Sequence, residues 1–249
     1  MKIKEMLAWN WKVNWISLVS VMCITLFVNA LLISLFTFAF PEEEVHISTT
    51  EGCAPVMSLV IGMVTFAASL RFGGANSVSR RSVYLGHLGF AVTFCAAMIL
   101  SFAVLDLAFS WSHMMKNDQV FCLMYGRWMQ GRPAWQGTGV RMVWSAVLCI
   151  SLSMLGYFLG GAFYRLGKMG KLVLAIGLPV GLFGILPMVV LALPEQTRQA
   201  LMREWARLVG FVVRSPGHSG LIALSAAAVF AALGWLIVRR APVNPAGGP

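Results

Sequence analysis

Six long stretches of this chain are almost free of charge: residues 15–40, 53–70, 83–109, 140–163, 172–193 and 220–238. A helix needs about 20 apolar residues to cross the hydrocarbon core of a bilayer, and each stretch is near that length or longer. A backbone in lipid has no water to bond to, so it forms helices or a closed barrel. Barrel strands alternate apolar and polar residues, and no such alternation occurs here. The expected fold is all-α and integral to a membrane, a single domain (1–249) with six transmembrane helices. Composition agrees: 59% of residues are hydrophobic and 11% charged, against about 25% charged in a soluble domain. An ordinary soluble enzyme, a disordered chain and a disulfide scaffold are thereby excluded. The first stretch is too long for a cleaved signal peptide, and no small-residue cleavage pattern follows it.

The net charge of +10 would suggest nucleic acid in a soluble protein. Six crossings give it another meaning, because they put both termini on one side. That side collects Lys2, Lys4, Lys12, Arg71, Arg80, Arg81, Arg165, Lys168, Lys171, Arg239 and Arg240, against the acid Glu5. Short cytoplasmic loops are enriched in Lys and Arg, so both termini are expected in the cytoplasm. The lipid bilayer is then the expected partner, and nucleic acid is not. Cys23, Cys95 and Cys149 lie inside apolar stretches, as small packed hydrophobes do. Cys53 and Cys122 fall on the outer side, where the spacing does not decide whether they bridge. No cysteine or histidine spacing forms a metal site.

The remaining segments are amphipathic or basic. Residues 1–14 interleave Lys4 and Lys12 with Leu7 and Trp11, which predicts an interfacial helix or a simple basic and aromatic anchor. The loop 110–139 carries Trp111, Trp128 and Trp135, residues typical of the membrane interface. After the fifth stretch, Pro194-Glu195 starts a helix. Leu201, Trp205, Leu208 and Val212 then recur at helical spacing, with Arg203 and Arg207 on another face. This segment, 194–213, is a membrane-level amphipathic helix that either lies flat or re-enters, and its apolar end at 210–213 favours partial insertion. Residues 239–249 read as a flexible cytoplasmic tail.

Catalytic patterns are absent. Gly161 to Met169 departs from a phosphate-binding loop in spacing and lacks the Ser/Thr that would hold magnesium. His46, His87, His113 and His218 form no paired motif. Asp106, near the outer end of the third stretch, is placed either to pair with Arg141 or to reach headgroup water. Gly156 with Gly160, and Gly177 with Gly181, have the spacing that lets helices approach closely. Pro179 and Pro187 bend the fifth stretch into a kink or a hinge.

The loop between the second and third stretches is the richest. Gly73 and Gly74 permit a sharp turn, and Ser79 is a good N-cap for the next helix. Arg80 and Arg81 then sit where the helix dipole disfavours cations. Either they serve as positive-inside anchors, or they ask for a compensating partner, lipid phosphate or an acidic protein groove.

Asn76-Ser77-Val78-Ser79-Arg80-Arg81-Ser82-Val83-Tyr84 resembles a segment of small six-helix permease subunits of bacterial ABC exporters, the Gram-positive type with a separately encoded ATPase. The family pattern is Asn-Gly-(Ile/Val)-Ser-Arg-(Lys/Arg)-(Ser/Thr)-x-(Phe/Tyr), and Ser77 stands where it usually has Gly. The resemblance covers nine residues as a motif and the whole chain as architecture. It implies a coupling helix, built around Gly73, Gly74, Asn76, Ser77, Val78, Ser79, Arg80 and Arg81, that docks into the ATPase. It further implies a second permease subunit, the same or different, and a bacterial plasma-membrane location. ATP and magnesium would be bound by the partner ATPase, with no cofactor and no enzymatic activity on this chain. The expected function is export of a hydrophobic or amphiphilic substrate: a peptide, a lantibiotic-like compound or a drug. The alternatives are a non-transporting scaffold or sensor subunit and an ion-coupled secondary transporter. The latter is disfavoured by the lack of buried ionisable residues and of two matching halves.

Overall fold

A computed structural model describes residues 2–39, 49–111 and 120–241. Among the described residues every regular element is helical. The long helices are α1 (Ile3–Ala39), α2 (Thr49–Ala75), α3 (Arg80–Trp111), α5 (Ala134–Arg165) and α9 (Pro216–Arg240); between them lie α4 (Val120–Met129), α6 (Lys168–Pro179), α7 (Leu186–Ala192) and α8 (Glu195–Arg214). A π-helical segment, Val180–Ile185, joins α6 to α7. Among the described residues five helices are long and apolar enough to cross a membrane, with candidate spans Ile3–Val28, Gly52–Ala75, Arg80–Leu105, Trp135–Arg165 and Pro216–Arg240. Their outward faces are apolar: Phe27 is 67% exposed, Val104 66% and Leu221 66%. Such a surface is stable against lipid tails and not against water.

The centre of the bundle is the α2–α5 pair, with α9 on the other side of α5 and α1 laid along α3. Phe90, Phe94, Cys95 and Met98 of α3 fill the space between α1, α2 and α5 with Val21, Ile61 and Cys149. A second cluster draws Met6, Phe66, Leu70, Val83, Tyr84, Tyr157 and Val238 from all five long helices. Helices α5 and α9 run parallel. Arg165, in the last turn of α5, donates to the carbonyl oxygen of Arg240 at the end of α9, while Trp144 near the start of α5 donates to Ser219 near the start of α9.

Several boundaries differ from the sequence expectations. Residues 3–14 are not a separate interfacial helix, because α1 continues unbroken to Ala39. No Pro or Gly interrupts it, and its Met6–Asn10–Asn14 face is buried in the bundle. Trp11, expected at a lipid surface, packs on Phe90 and Phe94 and donates through Nε1 to Thr93 Oγ1 at 3.0 Å. The expected span 172–193 is helical but composite. Pro179 closes α6 and Pro187 lies in the first turn of α7; each lacks the N–H that an uninterrupted α ladder needs, and the π segment lies between them. Segment 194–213 gives an uninterrupted helix of 20 residues. That helix is about 30 Å long. The loop 110–139 contributes α4, packed against α8. In the expected flexible tail, Arg239 and Arg240 are helical and Ala241 is buried; residues 242–249 lie outside the described residues.

Candidate functional site

The basic end of the bundle holds the α2–α3 loop. Gly73 and Gly74 do not form its turn; both belong to the last turn of α2. The turn falls at Asn76–Val78, where Val78 N–H donates to Gly73 O at 2.8 Å and Ser77 N–H to Gly74 O at 3.4 Å. This pair of bonds is a Schellman termination, which requires a left-handed residue after the cap. Ser77 supplies it at φ 51°. A glycine there would bear no Cβ strain. Gly73 is needed for a different reason: a Cβ on it would lie 2.5 Å from Val83 Cγ2.

Helix α3 then begins at once. Ser79 Oγ accepts from the Ser82 N–H at 3.3 Å and lies 3.0 Å from Ser82 Oγ, an N-cap that satisfies one orphan donor. Arg80 reaches across and donates to the carbonyl oxygen of Arg239 in the last turn of α9. A cation beside the negative end of a helix dipole is favourable. That contact gives Arg80 a main-chain partner within this same chain. Tyr84 completes the junction, donating to Ala231 O at 2.6 Å and packing on Trp235. Arg80 and Tyr84 therefore build the α3–α9 corner, with Val83 in the same cluster as Val238, while Asn76, Ser77, Ser79 and Arg81 remain exposed. Val78 packs into the five-helix cluster, which ties the loop to every long helix.

The two glycine pairs behave differently. A Cβ on Gly156 would overlap Leu59 O, and one on Gly160 would overlap Met63 O, both on α2. Gly62 of α2 returns the contact, since its Cβ would overlap Ser153 O. The α2 and α5 backbones thus touch over two turns. In contrast, nothing lies within 4 Å of a Cβ on Gly181, and only the Val173 side chain approaches one on Gly177. Among the described residues that second pair packs on no other helix; it lies with Pro179 and Pro187 around the π segment.

At the other end, Ser219 is the hub. Its Oγ accepts from Tyr125 Oη at 2.6 Å and from Trp144 Nε1 at 2.8 Å, and donates to Pro216 O. Three elements, α4, α5 and α9, meet at this one hydroxyl. Asp106 lies in α3, but its side chain lies outside the described residues, so its expected pairing with Arg141 does too. Cys53 carries a free thiol.

Sequence reasoning missed a buried polar layer at the basic end of the bundle. The His87 ring stacks on Tyr157, centroids 3.7 Å apart at 16°, and Ser69 Oγ donates to Asn10 Oδ1 at 2.9 Å. Among the described residues, both His87 nitrogens, Tyr157 Oη and Asn10 Nδ2 are buried without a hydrogen-bond partner. A lone His in an apolar stretch carries no periodic signal that would have announced this. No protein-family model, curated protein or solved structure matches the chain.

Proposed function

We propose that this chain is the permease subunit of an ATP-driven exporter, moving a hydrophobic or amphiphilic substrate with energy from a separate ATPase. The observation that carries the reading is the rigid α2–α3 loop. It is locked by a Schellman turn, a serine N-cap and the Arg80 contact, yet it leaves Asn76, Ser77 and Arg81 outward. A flexible loop would absorb a push; this one passes it to α2, whose backbone rests on α5. Rigid-body motion of that kind is how a docked ATPase would switch access to a path through the membrane.

Six crossings fit this reading better than five. Because α5 and α9 run parallel, the chain between them returns across the bundle once. The composite apolar segment 168–192 is the natural carrier of that crossing, with kinks at Pro179 and Pro187. Both termini then share the basic side, which the positive-inside rule assigns to the cytoplasm. Its Gly177–Gly181 face, which meets no other helix among the described residues, suits a second permease subunit.

The test is Arg81→Glu. It reverses an exposed charge and leaves the Arg80 contact intact. The full-length variant is expected to insert and remain monodisperse while losing a co-purifying ATPase that the natural chain retains. A variant that retains the ATPase as well as the natural chain does would sink the docking role. A second reading, ion-coupled transport, draws on buried His87, since ionisable residues inside a membrane are commonly functional. It predicts substrate movement in vesicles without ATP, abolished by His87→Gln.

A further inference from the structure

Between α4 and α8 lies an open cleft of about 800 Å³, a volume within the range of small-molecule sites. One wall is Tyr125 and Trp128 of α4; the other is Gly210 and Val213 of α8. The Ser219 hub fixes the Tyr125 wall, because Tyr125 Oη is bonded both to Ser219 Oγ and to Val212 O of α8. Arg132 stacks over the Trp128 ring, 4.0 Å from its centroid, and donates to Trp128 O. Tyr125 and Trp128 are thus held in place on the α4 side of the cleft.

Two cations line this cleft, Arg127 in the last turn of α4 and Arg214 in the last turn of α8. Among the described residues no acidic residue lines it. Among the described residues neither guanidinium has an ion-pair partner, whereas Arg198 and Arg207 of α8 are each paired with a glutamate three residues away. Two like charges sharing a cleft walled by aromatic and aliphatic groups repel each other unless an anion lies between them. Guanidinium groups match a phosphate or carboxylate through paired N–H donors.

We propose that this cleft binds an anionic amphiphile, its headgroup held by Arg127 and Arg214 and its chain lying along Trp128 and Val213. The ligand is either an anionic bilayer lipid or a single-chain anionic amphiphile, which share this chemistry. The proposal needs a lipid-embedded chain and does not rest on the exporter reading.

The full-length protein would be reconstituted in nanodiscs containing phosphatidylglycerol and phosphatidylcholine, and the retained lipids counted by native mass spectrometry. Retained phosphatidylglycerol identifies a bilayer lipid; binding of dodecyl phosphate with no retained lipid identifies a single-chain ligand. In either case Arg127→Gln with Arg214→Gln is expected to weaken binding at least about tenfold, the loss of one charge-assisted hydrogen bond. Arg203→Gln with Arg207→Gln, on the same helix but outside the cleft, should leave it unchanged. Dodecyl phosphate should displace the bound lipid and inorganic phosphate should not, a comparison on the natural chain that stands even if the double variant fails to fold. Equal binding by the cleft variant, equal loss in the control variant, or displacement by inorganic phosphate would overturn the proposal.

Discussion

Arg165 at the end of α5 donates a hydrogen bond to the carbonyl oxygen of Arg240 at the end of α9, 2.8 Å away. The contact ties two helix C-termini together, so the helices point the same way, and the 50-odd residues between them must return across the bundle. Single-cysteine labelling in a cysteine-free background checks this. Ser77→Cys and Met169→Cys should react with an impermeant reagent from one side of sealed vesicles, and Gly131→Cys and Gln196→Cys from the other. Gln196→Cys reacting with the Ser77→Cys set would mean that residues 168–192 do not cross.

The α2–α5 contact predicts a contrast between glycines. Gly156→Ala forces a methyl group into the Leu59 carbonyl, and overpacking of this kind costs about 1–3 kcal/mol. Gly181→Ala meets nothing and should change the stability of the isolated chain by less than about 0.5 kcal/mol. Unfolding midpoints in detergent, measured side by side, read the difference.

Ser77 sits in a backbone region where a Cβ costs about 1–2 kcal/mol. Ser77→Gly should therefore raise the unfolding midpoint, and Ser77→Val should lower it, because a β-branched residue fits a positive φ worse still. The comparison isolates backbone strain, since residue 77 is exposed in every case.

Ser219→Ala would leave Trp144 Nε1 without its 2.8 Å acceptor and Tyr125 Oη with only its longer bond to Val212 O. A buried donor left unmade costs about 1–3 kcal/mol, so the loss should exceed that of Tyr125→Phe. A double-mutant cycle pairing Ser219→Ala with Tyr125→Phe should show a coupling above about 0.5 kcal/mol.

Much of the fold was legible because lipid demands long apolar runs, and every long helix coincides with one. Gly156 and Gly160 also stand out by spacing alone, but their partner surface on α2 does not, since it is the main chain at Leu59 and Met63. The partner of Arg80 was hidden for the same reason: it is a carbonyl oxygen 159 residues away. A composition pattern cannot tell an amphipathic face that meets lipid from one that meets protein, which is why residues 1–14 were expected at a surface and Met6 is instead buried. The departure at Ser77 from the permease pattern was readable as a residue difference. Only the positive φ explains it physically: the position suits glycine, and serine occupies it under strain.

The proposed docking of an ATPase on the exposed tip of the α2–α3 loop can be read by cross-linking in the cell. A photoreactive residue at position 76 or 81 of the full-length chain should capture a polypeptide whose sequence carries a phosphate-binding loop. The same probe at Trp135, 77% exposed at the opposite end of the bundle, should not. Capture of such an ATPase from the loop alone is the predicted result. No ATPase adduct from either loop position, in cells where the chain is inserted and folded, would show that the loop does not dock an ATPase.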